Sequence, residues 1–192
     1  MKISTKINRK LLVIVSAIQL RSSYEWLLAK FHNTREMLGF GTEIWKFDDF
    51  DFTFRIFSRE RYSFNAFNEQ GYCADSKEEM NKFVELSKDK KCLLDVGALY
   101  GVFSLSFCAM NSENAAYAVE ASPIALKRLM LHKRINPIFN LHVYLQAIGI
   151  KKGELKMRWH DVFLEVIKKG ETKYDVVVPM ISIDEFVKEQ NI

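Results

Sequence analysis

Residues 91–123, KCLLDVGALYGVFSLSFCAMNSENAAYAVEASP, decide the fold. Cys92, Leu93 and Leu94 form a short apolar run closed by Asp95 and Gly97, the pattern of a strand covered on both faces in a parallel sheet. A glycine turn follows from Gly97 to Gly101, then a helix from Val102 to about Met110. A second strand runs from Ala115 to Val119 and ends in Glu120. Strand, turn, helix and strand in that order make a βαβ unit.

The turn is where chemistry can sit. Gly97 and Gly101 carry no Cβ, so the backbone bends sharply there and lets a ligand approach closely. The helix behind the turn aims its free N–H groups and positive dipole end at the same spot. Asp95, at the carboxyl end of the first strand, can accept hydrogen bonds from an amine or hydroxyl. Glu120 lies 25 residues later at the end of the second strand. An acid there suits a ribose diol, whose two hydroxyls both donate to a carboxylate. Together these residues point to a nucleoside-bearing cofactor.

The spacing selects among nucleosides. A dinucleotide fingerprint requires G-x-G-x-x-G, whereas Asp95-Val-Gly97-Ala-Leu-Tyr-Gly101 has two glycines, four apart. That stretch resembles the first motif of class I S-adenosylmethionine methyltransferases. More narrowly it resembles the FkbM family, whose run is close to D-V-G-A-N-x-G followed by a strand ending in E-P-x-P. The second run here is Glu120-Ala-Ser-Pro123, and Leu99 stands where the family has asparagine.

The resemblance implies an α/β fold, a Rossmann-like doubly wound sheet of the class I methyltransferase type. It also implies S-adenosyl-L-methionine held by Asp95, Gly97, Ala98, Gly101 and Glu120. Gln146-Ala147-Ile148-Gly149 matches the family's N-x-A-V-G-like ending, so by the same resemblance Ala147 lies near the adenine. The similarity covers residues 76–192, the cofactor half of the fold. The family's later I-K-I-D-x-E-G strand is not in that stretch. The expectation is therefore a truncated domain whose first strand has an unpaired inner edge, prone to self-association unless the N-terminal helices cover it.

Bulk properties narrow the class. At 192 residues, with 48% apolar and 13% aromatic content, the chain can bury a core of ordinary size. Its 28 basic and 24 acidic residues leave a net charge of +4 spread along the sequence, which argues against nucleic acid as partner. Cys73, Cys92 and Cys108 are odd in number and have no metal spacing. Cys92 and Cys108 fall in apolar elements, where a thiol acts as a small hydrophobe, and the expected setting is reducing and cytoplasmic. No metal site is expected. No stretch approaches the length of about 18 apolar residues that crosses a membrane.

At the start, Lys2, Lys6, Arg9 and Lys10 precede an apolar run from Leu11 to Leu20, an order that mimics a signal peptide. Gln19 and Arg21 interrupt it. Leu11, Ile14, Val15 and Ile18 recur at helical spacing, as on a packed or partner-docking helix. Peripheral membrane contact and a signal are the alternatives.

In chain order, residues 1–75 read as an N-terminal helical extension with a capping strand, and 76–192 as the partial methyltransferase domain. Helices over 8–38 are ended by Gly39 and Gly41. Phe50, Phe52, Phe54 and Ile56 alternate on one face of a half-buried strand, a core pattern rather than a stacking platform. Residues 58–75 read as a loop. Ser76-Lys-Glu-Glu79 fits a capping box before a helix with Met80, Phe83, Val84 and Ser87 inside.

Ser122 and Pro123 open the next helix. Leu126, Leu129 and Met130 are its inner stripe, while Lys127, Arg128, Lys133 and Arg134 stay solvated. It stops at Asn136-Pro137. Leu141 to Ile148 is a third strand, Glu154 to Trp159 a strand of the hairpin that the family inserts, and Tyr174 to Met180 another strand. Ile181 to Val187 resembles the family's T-L-D-E-L-like segment opening a short helix. The three strands ending at Asp95, Glu120 and Ile148 are expected to be parallel, in the order third, second, first.

The function this implies is O-methylation of a hydroxyl on a sugar or small natural product. Catalysis would come from holding donor and acceptor aligned, with a base assisting. No catalytic residue is assignable from the sequence. His142 alternates with its neighbours as a strand side chain, and His160 and Asp161 are adjacent, so an extended backbone points them to opposite faces. The alternative is a non-catalytic homologue that binds the cofactor weakly or needs a partner chain. A nicotinamide-dependent oxidoreductase would need the missing middle glycine.

Overall fold

The computed structural model describes Thr34 and residues 40–47, 49–58, 74–138, 140–160, 163–167 and 171–192. The chain divides into two compact units, 1–42 and 43–192. The helices read over 8–38 fall outside the described residues apart from a helical Thr34, and so do Cys73, Asp161 and most of the loop over 58–75. Among the described residues no helix is long and apolar enough to cross a membrane.

The elements are β1 (Thr42–Lys46), β2 (Thr53–Phe57), α1 (Ala74–Ser87), β3 (Cys92–Val96), α2 (Val102–Met110), β4 (Ala115–Glu120) and α3 (Pro123–Ile135), followed by β5 (Leu141–Leu145), β6 (Ala147–Ile148), β7 (Gly153–His160), β8 (Phe163–Val166), β9 (Val176–Ile181) and α4 (Ile183–Gln190). β3, β4 and β5 form a parallel sheet in that spatial order, with Leu94 beside Tyr117 and Tyr117 beside His142. This is the βαβαβ arrangement expected, third strand to first. A second sheet has the order β6-β9-β7-β8, with β7 antiparallel to both β8 and β9.

The third strand departs from expectation. Leu141 to Ile148 is not continuous: Gln146 donates to the Glu120 carbonyl at 3.1 Å, and the chain then leaves the first sheet. Ala147 and Ile148 pair in parallel with Met180 and Ile181 of β9. One extended segment thus joins both sheets.

β3 also departs. It was expected to be covered on both faces, but Cys92 is exposed and Val96 is 50% exposed. The reason is position: β3 pairs with β4 alone among the described residues and forms the sheet edge. The hairpin strands do not reach its free side, because β7 and β9 belong to the second sheet.

α2 is apolar almost all round, with no charged residue in VFSLSFCAM, the signature of a helix buried on more than one side. Leu105, Phe107 and Cys108 share a core with Ala116, Ala118 and Leu141 of the sheet, with Met80 and Val84 of α1, and with Phe54 and Ile56 of β2. Phe52, Phe54 and Ile56 are buried as their alternation predicts, although the strand begins only at Thr53. α1 begins at Ala74, so Ser76 lies inside the helix and the capping box read there is not the start.

α3 starts as its sequence requires, the Ser122 hydroxyl accepting from the Ala125 N–H at 3.3 Å with Pro123 next. Its buried side includes Leu129 as expected but is shifted away from Met130. Ala125, Arg128, Leu129 and His132 are buried, whereas Met130 is 55% exposed. Arg128 is not solvated: its guanidinium carbon lies 5.0 Å from the centre of the Phe57 ring. The cause is β2, which covers this helix from outside the sheet. Asn136 donates to the carbonyls of Arg55 and His132, both at 2.8 Å, and accepts from the Arg55 N–H at 2.6 Å. Its amide therefore both caps α3 and extends the edge of β2.

Candidate functional site

The carboxyl ends of β3 and β4 and the turn between β3 and α2 form the site. Gly97 and Gly101 both sit at positive φ, +77° and +87°. A side chain at Gly97 would meet nothing within 4 Å, so the outer side of the turn is open. A Cβ at Gly101 would collide with Leu129 Cδ1 on α3. Gly97 therefore serves conformation and access, and Gly101 serves conformation and close packing.

Hydrogen bonds hold the turn down. The Val119 carbonyl accepts from Gly97 N–H at 2.9 Å and Ala98 N–H at 3.2 Å, and Ala98 is buried beneath the turn. On the α3 side the Phe57 N–H donates to His132 Nε2 at 3.4 Å, so Nδ1 carries the proton and donates to the Tyr100 carbonyl at 3.0 Å. His132 thus ties β2 to the turn, a role that nothing local in the sequence announced.

Glu120 is 8% exposed, and its carboxylate belongs to the same network. Oε2 accepts from the Leu99 N–H at 2.7 Å and Oε1 from the Ser122 N–H at 2.6 Å. Each oxygen keeps a second lone-pair direction, since an ionised carboxylate offers about four acceptor sites. Leu99 has φ +49°. A leucine in the left-handed region is strained, and asparagine tolerates that backbone better. The Glu120 bond to its N–H helps keep it there.

Asp95 is turned inward. Its Oδ2 accepts from the Ser104 hydroxyl at 2.6 Å. Ser104 is the third residue of α2, whose N-cap, Gly101, has no side chain to satisfy the first turn. Asp95 supplies that acceptor from the neighbouring strand. Burial pushes its carboxyl above the usual range, the Ser104 hydroxyl and backbone N–H pull it back, and the nearby Glu120 charge raises it further.

A cleft of about 210 Å³ opens beside Glu120, lined by Leu99 and Tyr100 of the turn, by Ala121, Ser122, Ile124 and Ala125 at the start of α3, and by Met157 and Leu164 of the second sheet. Of the six residues that the resemblance assigned to a cofactor, Asp95, Gly97, Ala98, Gly101 and Glu120 come together at this turn, and only Glu120 lines the cleft. Ala147 does not line it. Ala147 is buried in a cluster with Met157 and Val178, and Ala121 packs against that cluster. Met157 and Leu164 were not singled out from the sequence. Their alternation on strands marks a face, not what that face meets.

His142 lies exposed on the other face of the first sheet, its ring 4.8 Å from Tyr117, away from the turn. Among the described residues no group of three His, Cys, Asp or Glu side chains could hold a metal ion.

No protein-family model and no curated protein sequence matches the chain. Among solved structures, the chain is similar over 40% of its length to coclaurine N-methyltransferase bound to N-methylheliamine and SAH, at 18% identity and a TM-score of 0.34. Over 54% of its length it is similar to P. horikoshii TYW2 in complex with MeSAdo, at 17% identity and a TM-score of 0.34. The matched stretches span 24% and 35% of those two chains. Overlaps this partial add nothing to the strand order, which stands on the pairing described above.

Proposed function

We propose that the turn and cleft bind S-adenosyl-L-methionine and that the chain is the cofactor-binding part of a class I, FkbM-type O-methyltransferase acting on a hydroxyl of a sugar or small natural product. The observation that carries this reading is Glu120. It is a nearly buried carboxylate that already holds the turn through the Leu99 N–H and the start of α3 through the Ser122 N–H, and has acceptor capacity left beside an open cleft.

The residues present fit such a ligand. Glu120 would take the two ribose hydroxyls, and the side-chain-free outer surface of Gly97 would admit the amino-acid end toward the first turn of α2. Asp95 sets that turn by capping α2 and contributes negative charge toward an amine. The cleft is smaller than the roughly 300–1,000 Å³ of whole-ligand pockets, so it holds the nucleoside part rather than the whole molecule. When bound, the cofactor supplies an activated methyl group on a cationic sulfur. The chain's own contribution is to fix and orient that donor, which is a large share of what such a transfer needs.

Calorimetric titration with S-adenosylhomocysteine tests this reading. The wild-type chain should bind, and Glu120→Gln should bind about 10- to 100-fold more weakly, the worth of charged hydrogen bonds at roughly 1.5–3 kcal/mol. An unchanged affinity would reduce Glu120 to a structural anchor.

A second reading is a homologue that is not catalytic alone. It is favoured by the exposed edge of β3, with Cys92 and Val96 open and no strand beyond it among the described residues. Such an edge pairs readily with another chain. Concentration-dependent sedimentation together with methyl transfer to hydroxyl acceptors separates the two readings.

A further inference from the structure

The cleft beside Glu120 has two unlike sides. The turn and the start of α3 give it a mixed side, where the Glu120 carboxylate and Ser122 sit among Leu99, Ala121, Ile124 and Ala125. The opposite side comes from the second sheet and is apolar, formed by Met157 of β7 and Leu164 of β8. The hairpin register extends that side. Trp159 pairs directly with Leu164, and Met157 with Val166, so Met157, Trp159 and Leu164 share one face of the hairpin. Trp159 is half-buried there.

We infer that this face of the β7–β8 hairpin is the wall against which the purine ring of the bound nucleoside lies, with Met157 and Leu164 as direct contacts and Trp159 continuing the surface. The inference rests on the cofactor reading above. It moves the base contact from Ala147 to the hairpin. Ala147 is buried with Met157 and Val178 in the cluster that Ala121 packs against, and it does not line the cleft. The chemistry matches. A ribose whose diol meets Glu120 carries its base away from the carboxylate, and a flat aromatic ring with few satisfied polar edges is best placed against thioether, alkyl and indole surface. Recognition by such a wall is by shape and stacking rather than by base-specific hydrogen bonds.

The test is calorimetric titration of the full chain with two ligands, S-adenosylhomocysteine and 5′-methylthioadenosine, which share the adenosine and differ at the other end. Leu164→Ala should weaken both by the same factor, about 3- to 10-fold. Tryptophan emission gives a second readout that leaves Leu164 intact: ligand should change the emission of the wild-type chain, and Trp159→Phe should abolish that change. Met157→Leu, which conserves volume, should keep the fold and shift affinity for both ligands together.

If the wild-type chain binds and Glu120→Gln weakens binding, but Leu164→Ala leaves affinity unchanged or the emission change survives in Trp159→Phe, the hairpin wall is overturned and the cofactor reading stands. Should Leu164→Ala fail to fold, the emission experiment decides. If the wild-type chain binds neither ligand, the cofactor reading falls and the wall falls with it.

Discussion

β3 and β4 are neighbours in one sheet and meet very different surroundings. β4 lies between two strands, and Ala116, Ala118 and Val119 are fully covered. β3, with the more apolar beginning CLL, lies at the edge, and its first and last residues are open. Apolar composition alone does not separate them. The acids that close the two strands divide the work similarly. Asp95 turns inward to cap α2, while Glu120 pins the turn and faces the cleft. Covering is a property of neighbours, and so is the role of an acid at a strand end.

The turn between these strands gives the strongest way to break that contrast. Gly101→Ala should destabilise the chain by about 3 kcal/mol or more. It combines left-handed backbone strain of roughly 1–2 kcal/mol with a clash against a fully buried Leu129 worth roughly 1–3 kcal/mol. Gly97→Ala should cost the backbone part alone, about 1–2 kcal/mol, because its Cβ meets only open space. Urea melts of the two variants measure the gap, and equal losses would mean that the packing of α3 against the turn contributes nothing.

The cysteines sharpen the contrast between edge and interior. Cys92 is exposed on β3, whereas Cys108 is buried in α2 and burial pushes its thiol to about 11. Thiol labelling at pH 8 should modify Cys92 at least about tenfold faster than Cys108, as thiolate fraction and access both demand. Mass spectrometry of labelled peptides reads this out. Comparable rates would place a cover over β3.

A gain is expected at Leu99. Replacing it by asparagine keeps the N–H bonded to Glu120 and relieves a left-handed leucine, so Leu99→Asn should raise stability by up to about 1 kcal/mol. A lower melting temperature would mean that the leucine side chain, which lines the cleft, packs better than its backbone suggests.

The smallest effect is a change of slope with pH. Asp95 is pushed above its unfolded value chiefly by burial, so the folded chain binds the proton more tightly than the unfolded chain does. The resulting stability is present in full below the ordinary aspartate range, near 3.9, and is lost as pH rises through the raised folded value. Asp95→Asn should remove that loss, flattening the acid-side profile and stabilising the chain at neutral pH. A variant less stable than wild type at pH 7 would show that the capping of α2 needs the charge.

Much of the local structure was legible. Gly97 and Gly101 were singled out as turn residues, and both have positive φ. Ser122 and Pro123 open α3, and β3 and α2 end where Val96 and Met110 predict. Ser182 and Glu185 form a reciprocal capping box at α4, with the spacing that such a box requires. β1 and β8 were missed, because short strands without strict alternation carry little periodic signal.

What the sequence by itself determined is whatever a few consecutive residues can enforce: left-handed turns at glycine, helix starts at a capping hydroxyl, strand periods, and the acids that end β3 and β4. The tertiary structure alone decided where the third strand broke at Gln146 to enter a second sheet, and that Arg128, His132 and Asn136 face β2. It also decided that Met157 and Leu164 complete the cleft around Glu120. The physical reason is reach. Steric limits on φ and capping hydrogen bonds act within a turn of chain, while burial and hydrogen-bond satisfaction depend on partners such as Arg55 and Asn136, 81 positions apart, whose meeting no local pattern encodes.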